Sequence, residues 1–263
     1  MISNMVGADK AGIYNLAYSV SMIMTMFNMA LLQTIEPWIY RKLKDKKTMD
    51  LAKVAYPCFF LIAGVNILLI LFAPEIIAVF APKAYYEAIW VVPSVALSVF
   101  FMFLYSFFAT FEFYYEKTTY VAAATVGGAI LNIILNYIGI HRLGYLAAGY
   151  TTLFSYILFA LLHYLFMNKV CDEFIDGIRP YNGKMILGIA ALSCAIGFGC
   201  MALYQHPIIR YSIVVFLGIV ALVCRKKTDF VNKVAASIKK AKSRMRRLIR
   251  WSITIQRKRI SRF

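Results

Sequence analysis

Long apolar runs, separated by short polar loops, make up most of the chain. Seven such runs are predicted to be helices, over residues 13–35, 54–72, 88–111, 119–140, 145–167, 185–204 and 208–224. About 20 residues at 1.5 Å per residue cover the ~30 Å hydrocarbon core of a bilayer. The pattern therefore predicts an all-α, polytopic membrane helix bundle with about seven transmembrane helices, of which the last is the shortest.

Two adjacent runs, within residues 118–167, form a predicted membrane hairpin whose loop contains His141 and Arg142. We divide the chain into a five-span core at 1–167, two further spans at 168–224 and a tail at 225–263. Segment 73–87 is too polar to span and too apolar for a free loop, which predicts a short interfacial helix.

Composition supports a membrane protein, since 62% of the residues are hydrophobic and only 16% are charged, against ~45–50% apolar residues in soluble domains. The five cysteines lie in or beside apolar runs, and His141, His163 and His206 lie on separate segments. Neither set has the spacing of a metal site or a disulfide framework. We expect no metal, no cofactor and no catalytic residues.

Basic residues are distributed unevenly between the two sides of the predicted bundle. One side carries 25 Lys and Arg, 15 of them from Arg225 onward, and the other carries only Lys10, Lys83, Arg142 and Arg210. The positive-inside rule then predicts an external N-terminus and a cytoplasmic C-terminus. An external start without a signal peptide further suggests that an odd number of spans precedes Met1.

The first predicted span carries a polar stripe, because steps of three, four and eight residues keep its members on one helical face. Its members are Tyr14, Tyr18, Ser21, Thr25, Asn28 and Glu36. Such a face avoids lipid. It lines a central cavity, or it forms hydrogen bonds between helices without a transport role; the sequence leaves both open.

The fourth and fifth spans repeat this pattern more weakly. Asn132 and Asn136 lie one turn apart in the fourth span, where packing is the commoner role, and His163 in the fifth is predicted to be an interfacial side chain that snorkels toward water. In the sixth span, the stripe of Ala191, Ala195 and Gly199 predicts close helix packing.

The order of several segments resembles a known family. The pair Asn132 and Asn136 is followed by GYLAAGYTT, and VGADKAGIYNLAYSVSM and PEIIAVFAPKAYYEA occur upstream. Over residues 2–166 the chain resembles the C-terminal half of bacterial polysaccharide flippases, in the superfamily that includes the multidrug and toxic-compound extrusion transporters. Members have two pseudo-symmetric lobes, so this chain would be one lobe of a two-lobe transporter.

The resemblance implies that the protein flips polyprenyl-diphosphate-linked oligosaccharide across the bacterial inner membrane, by alternating access and without covalent chemistry. Other polysaccharide-assembly proteins are then possible partners. Tyr14, Tyr18, Ser21, Thr25, Asn28, Asn132 and Asn136 are the expected cavity lining. Glu36 is expected either to couple transport to an ion or to pair with Arg41 or Lys42 at the interface. The first six spans contain no Lys or Arg for the diphosphate, so those charges are expected in loops or in the other lobe.

Three other classes remain as alternatives. A multidrug or cation antiporter of the same superfamily would share this fold. An O-antigen polymerase or ligase would need a large external loop, which this sequence lacks. A seven-helix receptor or retinal protein would share the external N-terminus and cytoplasmic C-terminus, but a retinal pigment would need a lysine in the last span, and residues 208–224 contain none.

The tail carries a net charge of +14, from 15 Lys and Arg and one acid, Asp229. Apolar residues at helical spacing within 230–252 predict a basic amphipathic helix on the membrane surface. A basic tail on a membrane protein favours anionic lipids rather than nucleic acid as its partner. The expected surface contacts are Lys239, Lys240, Arg244, Arg247 and Trp251.

Overall fold

A computed structural model describes residues 2–225. Nine α-helices occur in this range: α1 Ile2–Val6, α2 Ala8–Lys44, α3 Ala52–Leu71, α4 Ala73–Phe80, α5 Val92–Tyr114, α6 Thr118–Leu143, α7 Ala147–Phe174, α8 Gly183–Gly199 and α9 Pro207–Arg225. Short 3₁₀ helices cover Thr48–Asp50, Lys83–Trp90 and Cys200–Leu203. No strand occurs within residues 2–225.

Six helical segments are long and apolar enough to cross a bilayer, namely Ala8–Lys44, Thr48–Leu71, Val92–Tyr114, Thr118–Leu143, Ala147–Phe174 and Gly183–Leu203. They correspond in order to the first six predicted spans, and α9 covers the seventh. The prediction of an all-α, polytopic membrane bundle is confirmed. Segment 73–87 is helical as well, as α4 and most of the 3₁₀ helix that follows it.

Helix α5 is the centre of the bundle. In its most apolar 18-residue stretch 83% of the residues are buried, against 6% for α6. The helix packs against α2, α3, α7 and α8, and its contact with α7 is the most extensive in the described chain. The predicted hairpin is formed by α6 and α7, but α6 lies at the edge of the bundle, since its apolar residues face outward.

Helices α5 and α7 approach closely near the start of each. A Cβ atom placed on Gly149 of α7 would lie 2.3 Å from the Ser94 Oγ of α5, so any larger residue there must displace the Ser94 hydroxyl. Helix α8 uses Gly197 in a similar way, against Leu97 and Ile70. The predicted stripe of Ala191, Ala195 and Gly199 is exposed instead; this prediction is wrong because the packing face lies on the other side of α8.

An aromatic core joins α3 and α5 to the segment between α7 and α8. Phe59 of α3 makes edge-to-face contacts with Phe103, Phe107 and Phe108 of α5, and Tyr181 packs edge-on against Phe59 and Phe107. Tyr181 is fully buried, and this burial raises the pKa of its phenol well above the ordinary value. The connecting segment is thereby fixed to the bundle.

The chain separates into two compact units, Met1–Arg210 and Tyr211–Phe263. Helix α8 packs against α3 and α5 within the first unit. In the second unit the structure describes residues 211–225, which continue α9.

Polar contacts tie helix ends together at both ends of the bundle. Lys10 at the start of α2 pairs with Glu87 at 2.6 Å, and the Tyr145 hydroxyl donates to the same carboxylate at 2.8 Å. The hydrogen bonds from Lys10 and Tyr145 hold the pKa of Glu87 below its usual range. At the opposite end, Lys42 pairs with Asp50 at 2.6 Å, which joins the end of α2 to the segment before α3.

Candidate functional site: a polar and aromatic cavity beside α2

A cavity of about 1060 Å³ lies between α2, α5, α6 and α7, with α1 at one end. On α2 its lining extends from Ala11 to Glu36, which are ~38 Å apart along a helix that rises 1.5 Å per residue. This length exceeds the ~30 Å thickness of the hydrocarbon core of a bilayer. Its volume lies slightly above the ~300–1,000 Å³ found for small-molecule sites.

Five of the predicted site residues contribute to this cavity. They are Tyr14, Tyr18 and Glu36 of α2, and Asn132 and Asn136 of α6. The rings of Tyr14 and Tyr18 stack with centroids 6.0 Å apart. The structure thus brings residues that are more than 100 positions apart in sequence, such as Tyr18 and Asn132, to the lining of one cavity.

The middle of the predicted polar stripe does not line the cavity. Ser21, Thr25 and Asn28 are not among the lining residues, because here α2 packs directly on α5. Asn28 is buried and donates from Nδ2 to the Val99 carbonyl at 2.9 Å. The hydroxyls of Ser21 and Thr25 donate to carbonyls of their own helix. For these three residues the structure places the side chains in packing or local hydrogen bonds rather than on the cavity wall.

Asn132 and Asn136 combine both roles that the sequence left open. Asn136 donates to the Asn132 Oδ1 at 2.9 Å, Asn132 donates to the Ser155 hydroxyl at 3.2 Å, and Thr151 donates to the Asn136 Oδ1 at 2.8 Å. This chain of hydrogen bonds connects α6 to α7. Because both amides also border the cavity, they are held in fixed orientations toward any molecule inside it.

An aromatic wall on α5 and α7 completes the cavity, and the sequence reasoning missed it. Tyr105 packs edge-on against Phe159 at 4.5 Å and stacks with Tyr156 at 6.3 Å. Phe159 could have been found, because it lies four residues after Ser155 and four before His163, on the polar face recognised in the fifth span. Tyr105 had no such signal, since aromatic residues surround it in sequence.

Glu36 does not form the ion pair suggested for it. Its carboxylate accepts a hydrogen bond of 2.5 Å from the Tyr40 hydroxyl, one turn further along α2. Lys42 pairs with Asp50 instead, and Arg41 donates to the Pro37 carbonyl at 3.2 Å. Glu36 therefore faces the cavity with a phenol as its neighbour.

His163 is not an interfacial side chain, so that prediction is wrong. It is 1% exposed, and its Nδ1 lies 2.8 Å from the Oε1 of Glu112, whose side chain is fully buried. His163 also borders the cavity, where its ring stacks on Tyr105 at 5.3 Å. The helix dictates this position, because His163 follows Phe159 by four residues on the α7 face that packs on α5.

Glu112 was missed because the third span was predicted to end one residue before it. Helix α5 continues to Tyr114, and the apolar residues Phe111 and Phe113 flank Glu112 in sequence. An acid inside an apolar run is rare unless it is paired. Extending the run to Tyr114 would have found this residue.

The wall of the cavity carries little charge. Among the residues that the structure describes, the lining contains one carboxylic acid, Glu36, and one imidazole, His163, and it contains no Lys or Arg. The predicted membrane-surface contacts, Lys239, Lys240, Arg244, Arg247 and Trp251, lie outside the described residues. No protein family, curated protein or solved structure matches this chain.

Proposed function

We propose that this protein is one lobe of a transporter that moves polyprenyl-diphosphate-linked oligosaccharide across the bacterial plasma membrane. The observation that carries the proposal is the membrane-deep cavity with a wall of tyrosines, a phenylalanine and two fixed amides. Sugar rings present C–H faces that stack on aromatic rings, and hydroxyls that exchange hydrogen bonds with amides. Such a wall suits an uncharged oligosaccharide of varied sequence.

The diphosphate requires a different surface, since no Lys or Arg occurs in the part of the cavity lining that the structure describes. Exposed basic residues follow Glu36 at the end of α2, among them Arg41, Lys44 and Lys47. Cations at that level replace part of the hydration of a phosphate. In this proposal the diphosphate stays at the headgroup level while the sugars enter between α2 and α6.

Orientation and partners follow from the charge distribution as further parts of the proposal. The basic segment after α2 and the tail at 225–263 lie on the cytoplasmic side, where anionic lipids attract them. The second lobe and other polysaccharide-assembly proteins are the expected protein partners. Transport then consists of alternating access, with no covalent step.

A second candidate, a multidrug or cation antiporter, is favoured by one observation. Glu36 is the only acid in the described lining and shares the cavity with Tyr14, Tyr18 and Tyr105. Aromatic faces and a carboxylate together bind organic cations. The two candidates therefore differ in the charge of the molecule that occupies the same cavity.

The test is binding of a fluorescent polyprenyl-diphosphate-linked saccharide to the full chain in lipid nanodiscs, followed by fluorescence anisotropy. Tyr18→Ala should weaken binding by roughly fivefold, since an aromatic contact contributes about 1 kcal/mol. The matched control is Tyr137→Ala on α6, because Tyr137 is exposed and outside the cavity. It should leave the affinity unchanged.

A planar aromatic monocation measured in the same nanodiscs separates the candidates. The antiporter would be supported instead if the chain bound this monocation tightly, lost that binding in Glu36→Gln, and did not bind the lipid-linked saccharide. Equal loss of saccharide binding in both tyrosine variants would show that the cavity is not the binding site.

A further inference from the structure

A buried acid–base pair connects the two most extensively packed helices and borders the cavity. Glu112 of α5 and His163 of α7 meet at 2.8 Å, with side chains 0% and 1% exposed. The Glu112 Oε2 and the His163 Nε2 are both buried, and neither has a hydrogen-bond partner among the side chains and backbone groups that the structure describes. Unsatisfied polar atoms of this kind are costly to keep in an apolar interior, which is the first indication of a function beyond packing.

The contact leaves one ring nitrogen of His163 available for a proton when Glu112 is ionised and His163 is neutral. In that form of the pair the carboxylate can only accept, so the imidazole donates from Nδ1–H to Oε1. Nε2 then holds the free lone pair of the imidazole. A proton from hydronium in the cavity forms an N–H bond at Nε2 as its O–H bond breaks, and a water molecule remains.

Burial makes the charge of the pair depend on the water in the cavity. Without the added proton, the pair carries one net negative charge; with it, imidazolium and carboxylate cancel. An uncompensated charge in an apolar interior costs far more than a neutral pair. Water in the cavity next to His163 lowers that cost, and a ligand that displaces this water raises it.

We propose that Glu112 and His163 form a proton-binding site, and that filling of the cavity by the sugar is coupled to uptake of one proton there. The coupling part rests on the proposed function, whereas the proton site itself does not. Because coupling between two ligands is reciprocal, proton uptake must in turn strengthen sugar binding. Affinity for the saccharide should therefore rise as pH falls, by at most about tenfold per pH unit for one proton.

Other ionisable groups near the pair do not supply this behaviour. The other titratable groups that line the cavity are phenols, which are neutral near pH 7, and the Glu36 carboxylate on α2, which accepts a hydrogen bond from Tyr40. The lining residues of α6 are not titratable, and Lys117 before α6 pairs with Glu173. The remaining titratable groups near this part of α5 are phenols and thiols around the aromatic core, on α3, on α7 and in the segment after α7: Tyr56, Cys58, Tyr164, Cys171 and Tyr181.

The first measurement needs no ligand. Full-length chain with ¹⁵N-labelled histidine in nanodiscs is titrated from pH 5 to 9, and the His163 signal is assigned from its loss in His163→Gln. We expect His163 to gain a proton at Nε2 within this range. Glu112→Gln keeps the shape of the side chain but removes its charge. In this variant the proton concentration needed to half-protonate His163 should rise by at least about tenfold.

Two matched variants control for nonspecific effects. Glu116→Gln changes an exposed acid four residues along the chain, and His141→Gln changes an exposed histidine on α6. Both should leave the His163 titration unchanged. A His163 signal that stays constant from pH 5 to 9 in the natural chain, or that titrates identically in Glu112→Gln, overturns the proton site even if other variants fail to fold.

The second measurement repeats saccharide binding at pH 6 and pH 8. The natural chain should bind several-fold more tightly at pH 6, and His163→Gln should lose this difference. Titration of His163 without any saccharide binding would refute the proposed function while the proton site stands. Binding that is equal at both pH values, in a chain whose His163 titrates, would refute the coupling alone.

Discussion

At the scale of single residues, the backbone at the end of α6 depends on glycine. Gly144 caps this helix with φ 76° and ψ −170°, a backbone conformation that residues with a Cβ atom rarely adopt. Nothing lies within 4 Å of where its Cβ would be. A substitution at this position would therefore act through backbone strain and not through a clash. Glycine avoids this strain and so allows the sharp turn from α6 into α7.

Gly144→Ala should lower the free energy of unfolding by about 1–3 kcal/mol. Unfolding of the purified chain in mixed micelles, with increasing SDS, measures this loss. Gly127→Ala is the control, since Gly127 also has open space around it but lies inside α6 with helical backbone. That change should be neutral or stabilising, by up to ~1 kcal/mol. Equal stability of the two variants would contradict the strain argument.

At the scale of helices, the contact between α5 and α7 determines the site. Along these two helices the structure places the Gly149 and Ser94 contact first, then the aromatic wall, and then the Glu112 and His163 pair. A small residue at the first position lets the backbones approach, as is common in membrane bundles. Both helices are continuous between this contact and the pair.

Gly149→Ala should destabilise the bundle by more than 1 kcal/mol, since its Cβ would lie 2.3 Å from the Ser94 Oγ. The double variant Gly149→Ala with Ser94→Ala should recover most of this loss, because the Ser94 Cβ would be 3.4 Å away, at ordinary contact. SDS unfolding of the single and double variants measures both effects.

Gly188→Ala on α8, where nothing lies within 4 Å, is the matched control and should leave stability unchanged or slightly raised. A double variant as unstable as Gly149→Ala alone would show that the clash is not with the Ser94 hydroxyl.

At the scale of the whole molecule, the six spans alternate in direction, so the helix ends fall into two groups. One group includes the Lys10, Glu87 and Tyr145 contacts, and the other includes the pairing of Lys42 with Asp50. The basic residues predominate in the second group. The orientation proposed from charge therefore assigns every loop of the second group to the cytoplasmic side and every loop of the first group to the outside.

Single cysteines at Lys47 and Lys83 test this orientation, in a chain whose native cysteines are replaced. Both positions are exposed. In intact bacterial cells an impermeant thiol reagent should label Lys83→Cys and leave Lys47→Cys unlabelled, whereas permeabilised cells should label both. Labelling of both cysteines from outside would contradict the proposed number and direction of the spans.

The helical architecture could be predicted from the sequence because a bilayer imposes a simple rule. Apolar runs of about 20 residues must form helices there, since no other local structure satisfies the backbone hydrogen bonds. The first six spans, the α6 and α7 hairpin and the helical segment after α3 all followed from run length. So did the polarity of one α2 face, of which Tyr14, Tyr18 and Glu36 border the cavity.

The tertiary structure decided which of these polar positions face a cavity and which are packed. Spacing along α2 gives the same face to Tyr18 and Asn28, but only the position of α5 sends Asn28 to the Val99 carbonyl. The pairing of Glu112 with His163, 51 positions apart, likewise depends on how α5 and α7 are aligned. The length of an apolar run and its periodicity determine where each helix lies in the sequence and which of its faces is polar. The contacts between helices depend on how the side chains of two facing helices fit together, and periodicity carries no information about that fit.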